Sequence, residues 1–429
     1  MTSFIVITAG CAHNQVDSEQ MAGLLKRAKF DLASDIEKAD IVIFNTCTVK
    51  GPSETAFFKQ LDDLKKNFPY KMVVVAGCIA QADPEKLKKY SLVGTKQIHN
   101  IAQVVEEALH NNVLQLLETN AVLTLKLPRI RKNPIVEILP INLGCLGSCS
   151  FCKTKQARGN LISYPIAELK AEMVKAIKEG VKEIWLTSQD TGCYGADIGT
   201  NLVDLIKELC TVTGEYMIRI GMMNPDQAIK IKKELIDLFR TQPKLFMFLH
   251  LPVQSGSNYI LKRMARNYTG EDFYELVKEL KLNLPGLNVM TDIIVGFPGE
   301  TEQDSWQTLS MLRKVSPDSV NISRFWPRSK TSAAKWRVLP GEVVKRRSRL
   351  ATELFHNISR LQNERWLGWE GEILIDELGE KEGQWIGRNC AYKQVLVEGK
   401  YNIGQRLRVK IGDVTTFDLR GMVTAVKRE

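Results

Sequence analysis

The sequence predicts an α/β fold in three parts: an open parallel α/β domain over residues 1–115, an incomplete barrel of six βα units over 135–365, and a small antiparallel β-barrel over 366–429. Three observations point to it. Short apolar runs alternate with amphipathic stretches in the first part, six strand-like runs recur with helical patterns between them in the second, and short β runs broken by glycines fill the third. Residues 116–134 read as an extended linker, because Lys126-Leu127-Pro128-Arg129-Ile130-Arg131-Lys132-Asn133-Pro134 is basic and carries a proline near each end.

In the first part the apolar runs are Phe4–Thr8, Ile41–Phe44 and Met72–Val75, and each is soon followed by a cysteine: Ala9-Gly10-Cys11, Asn45-Thr46-Cys47 and Ala76-Gly77-Cys78. Ligands of open α/β sheets bind beyond the carboxyl ends of the strands, so cysteines far apart in sequence can meet there. One such cysteine reads as a buried structural thiol. Three at matching strand ends favour a cluster site.

In the second part the runs are Ile135–Asn142, Glu183–Thr187, Tyr216–Ile220, Leu245–Leu251, Leu287–Val295 and Ser319–Phe325. Repeated βα units imply a parallel sheet, and six are too few to close an eight-stranded barrel. The polar and glycine-rich pieces follow the strands, which is the active face of such architectures. After the first strand comes Cys145-Leu146-Gly147-Ser148-Cys149-Ser150-Phe151-Cys152, a C-x3-C-x2-C triplet. Structural zinc and four-iron clusters both take four ligands. Three thiolates leave one metal position open for chemistry.

The third part offers the runs Gly371–Ile375, Gln394–Val397, Arg406–Ile411 and Gly421–Val426, the texture of a small barrel. Just before it, Arg324-Phe325-Trp326-Pro327-Arg328-Ser329-Lys330, Lys335-Trp336-Arg337 and Lys345-Arg346-Arg347-Ser348-Arg349 interleave cations with aromatics, a pattern suited to phosphate contact and base stacking. The formal net charge of +10 also favours a polyanionic partner. Hydrophobic residues at 44% and charged residues at 25% are ordinary for a globular protein, and no apolar run reaches the roughly 18 residues that span a bilayer. With no signal-like start, a cytoplasmic protein without membrane contact is expected, in which the nine cysteines serve as ligands or thiols rather than disulfides. Cys193, Cys210 and Cys390 read as ordinary thiols.

The triplet, with an aromatic residue before its last cysteine, resembles the signature of radical S-adenosylmethionine enzymes. Gly10-Cys11 with Asn14 and Asp17-Ser18-Glu19, Asn45-Thr46-Cys47-Thr48-Val49 and Gly77-Cys78-Ile79-Ala80-Gln81 resemble the N-terminal domain of methylthiotransferases. Ala157-Arg158-Gly159, Leu251-Pro252-Val253-Gln254-Ser255-Gly256-Ser257 with Leu261, Met264, Arg266 and Tyr268-Thr269, and Asp292–Thr301 are similar to their radical core, and the tail resembles a TRAM domain. Ser188-Gln189-Asp190-Thr191-Gly192-Cys193-Tyr194-Gly195 and Gly387-Arg388-Asn389-Cys390-Ala391-Tyr392-Lys393-Gln394 look like the archaeal and eukaryotic branch acting on N6-threonylcarbamoyladenosine beside the tRNA anticodon. Gln156 stands where relatives often carry His.

The resemblance implies two [4Fe-4S] clusters, one on Cys145, Cys149 and Cys152 and one on Cys11, Cys47 and Cys78. In such enzymes the open iron of the first chelates S-adenosylmethionine, whose reductive cleavage releases a 5′-deoxyadenosyl radical, and the second presents the sulfur to be inserted at carbon 2 of adenine. It also implies a tRNA anticodon stem-loop as substrate, an electron donor and a sulfur donor. Candidate contacts to S-adenosylmethionine are Phe151, Gln189, Arg219, Gln254 and Glu300. Alternative expectations are a sibling methylthiotransferase acting on another modified adenosine or a ribosomal protein, and a non-catalytic metal-containing RNA-binding protein.

Overall fold

The computed structural model describes residues 2–48, 51–119 and 124–426; Val49 of the second cysteine motif, residues 120–123 of the expected linker and residues 427–429 of the tail lie outside it. The chain opens as β1 (Ser3–Thr8), α1 (Ala12–Arg27), β2 (Asp31–Leu32), β3 (Ile41–Thr46), α2 (Gly51–Asn67), β4 (Met72–Gly77), α3 (Cys78–Ala82), β5 (Ser91–Val93), α4 (Ile101–Leu109) and β6 (Gln115–Leu116). The strands form one parallel sheet in the order β2-β1-β3-β4-β5-β6. Successive residues of a strand point to opposite faces. Thus Ile41 and Ile43 pack with Phe4, Met21 and Val104 on one side, while Val42 and Phe44 pack with Phe57, Leu61 and Val75 on the other. Both faces are covered, so β3 is buried along its whole length. Because β1, β3 and β4 are neighbours, their carboxyl ends bring the loops of Cys11, Cys47 and Cys78 side by side.

The described part of the linker is packed rather than free. Ile130 N donates to Glu19 O (2.9 Å) and Gln20 Nε2 to Thr124 O (2.8 Å), while Arg129 and Arg131 both pair with buried Glu137. A Cβ on Gly23 would collide with the Pro128 backbone, so glycine lets α1 and the linker touch.

The second part comprises β7 (Val136–Pro140), β8 (Asn142–Leu143), α5 (Thr154–Arg158), β9 (Ile162–Ser163), α6 (Ile166–Lys178), β10 (Glu183–Thr187), α7 (Leu202–Cys210), β11 (Met217–Ile220), α8 (Pro225–Lys230), α9 (Lys232–Thr241), β12 (Phe248–His250), α10 (Asn258–Arg263), α11 (Gly270–Asn283), β13 (Asn288–Val295), α12 (Glu302–Val315), β14 (Ser319–Arg324) and α13 (Gly341–Glu364). The six barrel strands run in parallel as two sheets of three, β7-β10-β11 and β12-β13-β14, joined by the single bridge Ile218–Leu245. Edge strands β7 and β14 do not pair with each other, so the barrel stays open as expected.

Two expected runs are cut short. Ile135–Asn142 breaks after Pro140, and the short β8 pairs antiparallel with β9. Of Leu245–Leu251 only Phe248–His250 is a strand, because Met247 N donates to Cys390 O (2.8 Å) instead of a barrel neighbour. Thr269 with Asp272 and Thr301 with Asp304 form capping boxes that start α11 and α12.

The tail is a closed barrel of β15 (Glu370–Leu378), β16 (Gln384–Arg388), β17 (Gln394–Glu398), β18 (Arg406–Val414) and β19 (Leu419–Val426), in the order β15-β16-β17-β19-β18. Ile373, Ile375, Val395, Val397, Leu407, Val409 and Ile411 fill it. β16 is an addition to the four expected runs, and the closing contact of β17 with β19 is parallel while the other pairs are antiparallel. No helix among the described residues is long and apolar enough to cross a membrane.

Candidate active site

Cys145, Cys149 and Cys152 are each partly exposed on the loop after β8, and they line one cavity of about 450 Å³ at the carboxyl ends of the barrel strands. The loop is pinned at its start. Gly144 has φ of +69°, and a Cβ there would collide with the Asn160 carbonyl, so the chain turns sharply into the triplet.

The donor set fits an iron–sulfur cluster. Three soft sulfurs converge, Gly147 N lies 3.2 Å from Cys145 Sγ, and Thr154 N lies 3.4 Å from Cys152 Sγ. A Cβ on Gly147 would sit 3.4 Å from Cys145 Sγ and 3.7 Å from Cys149 Sγ, so the bare backbone keeps the space beside both sulfurs clear. Without metal, burial pushes the Cys145 thiol up to about 11 and raises Cys149 as well, so ligation would displace their protons. Among the described residues no three His, Cys, Asp or Glu side chains close around a single metal ion. Cluster thiolates bind different irons and stand further apart than the ligands of one ion.

Three of the five expected cofactor contacts line this cavity: Phe151, Gln189 and Gln254. Phe151 meets Phe297 edge-on at 6.2 Å. Gln189 Nε2 lies 3.2 Å from His13 Nδ1 of the first domain. Gln254 has φ of +72°, unusual for a residue with a side chain, and is held there by Gln254 N donating to Asp292 O and Ile294 N to Gln254 O.

The other two lie elsewhere. Glu300 is buried, takes hydrogen bonds from Gly296 N (2.5 Å) and Arg347 Nη1 (3.0 Å), and braces the β13–α12 turn. Arg219 lies on β11 among the rings of Trp185, Phe248 and Tyr392, each centroid within 5.3 Å of its guanidinium carbon.

Among the polar residues of the cavity that did not emerge as site candidates are Asp190, Asn224, Arg266 and Asp292. Arg266 Nη1 donates to Asn224 Oδ1 (2.6 Å), and its guanidinium stands 5.7 Å from the Phe151 ring. Asp190 Oδ1 accepts from Asn224 N and Gly192 N, and burial raises its carboxyl to about 6. Asp190, Arg266 and Asp292 sit in the motifs given above and Asn224 in the loop after β11, and that position was their only signal.

The second cysteine set centres on Asn14. Its Oδ1 lies 3.6 Å from Cys11 Sγ and 3.8 Å from Cys78 Sγ, while its Nδ2 donates to Thr46 O (2.7 Å), beside Cys47, and to Ala9 O (3.3 Å). A Cβ on Gly10 would sit 2.8 Å from Cys47 Cβ, so glycine lets the first two loops meet. Gly77 (φ +88°) lies against Asn45 in the same way. Cys47 and Cys78 are buried, Cys11 is exposed, and burial pushes Cys78 up to about 12. Three thiols with one open side again suit a cluster with a free coordination position.

Three family models match the chain: Uncharacterized protein family UPF0004 over residues 3–95, the Radical SAM superfamily over 139–312 and the TRAM domain over 365–424. A curated protein of Pyrococcus abyssi named probable threonylcarbamoyladenosine tRNA methylthiotransferase is 40% identical over 99% of this chain and 100% of its own length. The chain belongs to the threonylcarbamoyladenosine tRNA methylthiotransferase family.

Relatives bearing that name in Drosophila melanogaster and Homo sapiens are 39% and 40% identical, covering 99% and 91% of this chain and 78% and 68% of their own. In fold the chain is similar to a radical S-adenosylmethionine methyltransferase of Kitasatospora setae solved with cobalamin and a [4Fe-4S] cluster, with a TM-score of 0.55 at 14% identity over 78% of this chain and 77% of that one. That likeness concerns the fold alone.

In this member of the family, the Gly387–Gln394 segment sits at the seam between β11 and β12 and not at the cavity. Tyr392 packs against Trp185, Phe246 and Phe248, and Asn288 Nδ2 donates to Ala391 O (2.9 Å). The basic stretch is also partly structural. Arg328 pairs with Glu54, Arg347 is buried against Glu300 and Glu302, and Trp336 packs on Phe297, whereas Trp326 and Arg349 are exposed. Gln156 Nε2 donates to Lys330 O (2.7 Å), so it ties the triplet loop to this stretch. Cys193 is buried and donates to Asp190 O (3.0 Å).

Proposed function

We propose that this chain is a tRNA methylthiotransferase that converts N6-threonylcarbamoyladenosine at position 37, in the anticodon stem-loop, to its 2-methylthio derivative. The observation that carries the reading is the presence of two sets of three cysteines, one on a single loop and one gathered from three, in a chain about 40% identical along its whole length to proteins of that name. Cys145, Cys149 and Cys152 hold one [4Fe-4S] cluster with S-adenosylmethionine beside it, and Cys11, Cys47 and Cys78 hold a second. When bound, these groups supply one-electron chemistry and sulfur, which carbon 2 of adenine requires because it carries no acidic proton.

The protein's part is to bind, orient and exclude water. Arg266, fixed by Asn224, faces the cavity as a partly buried cation for a carboxylate. Gln254 and Gln189 present amides to the same space, and Phe151 offers an apolar wall. Holding the reacting atoms together favours capture of a short-lived product over its escape. The C-terminal barrel and the exposed cations before it engage tRNA phosphates, while a reductant and a sulfur donor come from outside the chain.

Mass spectrometry of nucleosides, after anaerobic reaction of reconstituted protein with bulk tRNA, tests the assignment. The expected result is a 2-methylthio derivative of N6-threonylcarbamoyladenosine. Unchanged N6-threonylcarbamoyladenosine, with methylthiolation of another nucleoside or, in a parallel reaction, of a ribosomal protein, would assign the chain a different substrate.

A further inference from the structure

The two cysteine sets belong to different domains, and the short helix α5 lies between them. It begins right after Cys152-Lys153 and ends at Arg158. Each end enters a buried ion pair with the first domain: Lys153 with Asp83 at one end, Arg158 with Asp17 at the other. Along the helix, Ala157 O accepts from Thr95 Oγ1 (2.5 Å).

Arg158 is 3% exposed, and its two terminal nitrogens are used unequally. Nη2 donates to Asp17 Oδ2 (2.5 Å) and to Asn14 Oδ1 (3.1 Å). Asn14 is the hub that holds the loops of Cys11, Cys47 and Cys78, so one guanidinium from the radical core steadies the whole second set. Nη1 is fully buried and has no acceptor among the described residues. A buried cationic donor left without a partner is costly. The same guanidinium bonds Asn14 Oδ1, which lies 3.6 Å from Cys11 Sγ and 3.8 Å from Cys78 Sγ. The chain thus keeps a spare charged N–H on the group that reaches this cysteine set through Asn14.

We infer that Arg158 is a positioning residue for sulfur insertion: its spare Nη1 donates to the anionic sulfur-bearing group held by Cys11, Cys47 and Cys78, while Nη2 fixes that group's place relative to the Cys145–Cys152 triplet through Asn14 and Asp17. This rests on the reading of those three cysteines as a cluster site. Hydrogen bonds and positive charge at cluster sulfurs favour the reduced, more negative state and so raise the reduction potential. Removing them lowers it. A loosened second site also wastes radical events.

The test uses full-length protein in which Cys145, Cys149 and Cys152 are all replaced by alanine, so that only the second set can carry iron. In that background Arg158→Gln is expected to shift the cluster's midpoint to lower potential, and Arg158→Lys, which keeps charge and one donor, to restore most of the shift. With all cysteines present, Arg158→Gln is expected to release 5′-deoxyadenosine as before while methylthio product per 5′-deoxyadenosine falls about tenfold. Protein labelled with ¹⁵N-arginine gives an independent readout that needs no destabilising change. Pulsed EPR of the second cluster should show a ¹⁵N coupling that disappears in Arg158→Lys. An unchanged midpoint in Arg158→Gln, or no ¹⁵N coupling in the otherwise intact chain, overturns the assignment. If Arg158→Gln does not fold, the labelling result alone decides. Absence of iron from the triple-cysteine background is a distinct failure, which removes the two-cluster reading itself.

Discussion

The triplet Cys145–Cys152 and the scattered set Cys11, Cys47, Cys78 present the same number of thiols by opposite means. The first is local: one loop of eight residues, with backbone N–H groups of Gly147 and Thr154 beside its own sulfurs. The second is topological: three loops brought together only because β1, β3 and β4 are adjacent in a parallel sheet, with Asn14 hydrogen-bonding across them. A local site depends on its loop, whereas a topological site depends on the whole domain and, through Arg158, on its neighbour.

The sharpest way to break this comparison is to remove one thiol from each set. Cys145→Ala is expected to abolish both 5′-deoxyadenosine release and methylthiolation. Cys47→Ala is expected to abolish methylthiolation while sparing part of the release, as read by chromatography of quenched reactions. Equal loss of both products in the two variants would erase the distinction between the sites.

The next effect concerns stability. Arg347 has a side chain 4% exposed and paired with Glu300, whose side chain is 3% exposed, so Arg347→Ala leaves a buried carboxylate without its cation and should cost about 3–5 kcal/mol in urea denaturation. A loss in tRNA affinity without a loss of stability would contradict its structural role. A third effect appears with pH. Burial lifts Asp190 above its ordinary value of 3.8 to about 6, so the metal-free protein has the full benefit of a neutral Asp190 below about pH 4 and loses it as pH rises through 6. Relative to Asp190→Asn, the chain should lose about 3 kcal/mol over that interval, measured by denaturation at fixed pH values. A flat difference between the two proteins would show that Asp190 is not desolvated. The smallest effect is that of Arg349, which is exposed and only loosely paired with Glu353 at 3.9 Å. Arg349→Ala should leave stability unchanged and reduce the slope of log tRNA affinity against log salt by about 1.

Much of this was legible in the sequence. Apolar runs of the right length marked the parallel sheets, and a cysteine after each of three strands marked the convergence of Cys11, Cys47 and Cys78, because strand ends in such sheets lie together. Legibility ended where side chains act across domains. Arg158 sits in a quoted motif, yet its partners lie 141 and 144 positions away, and no local pattern shows that. Arg219 and Glu300 were misplaced for a related reason. Position on a strand or active-face loop does not say whether a charge points at the cavity, and here one is caged by rings while the other meets a buried arginine. β16 was missed because Gln384-Trp385-Ile386-Gly387-Arg388 has too few apolar residues to display alternation; its pairing with β15 and β17 makes it a strand.

The central claim, that the local and topological cysteine sets each hold their own cluster, is tested most directly by counting iron and sulfide per chain after anaerobic reconstitution. The expected content is about eight irons in the intact chain and about four in each variant that lacks one set of three cysteines. About four irons in the intact chain, all lost with the Cys145–Cys152 triplet, would contradict it.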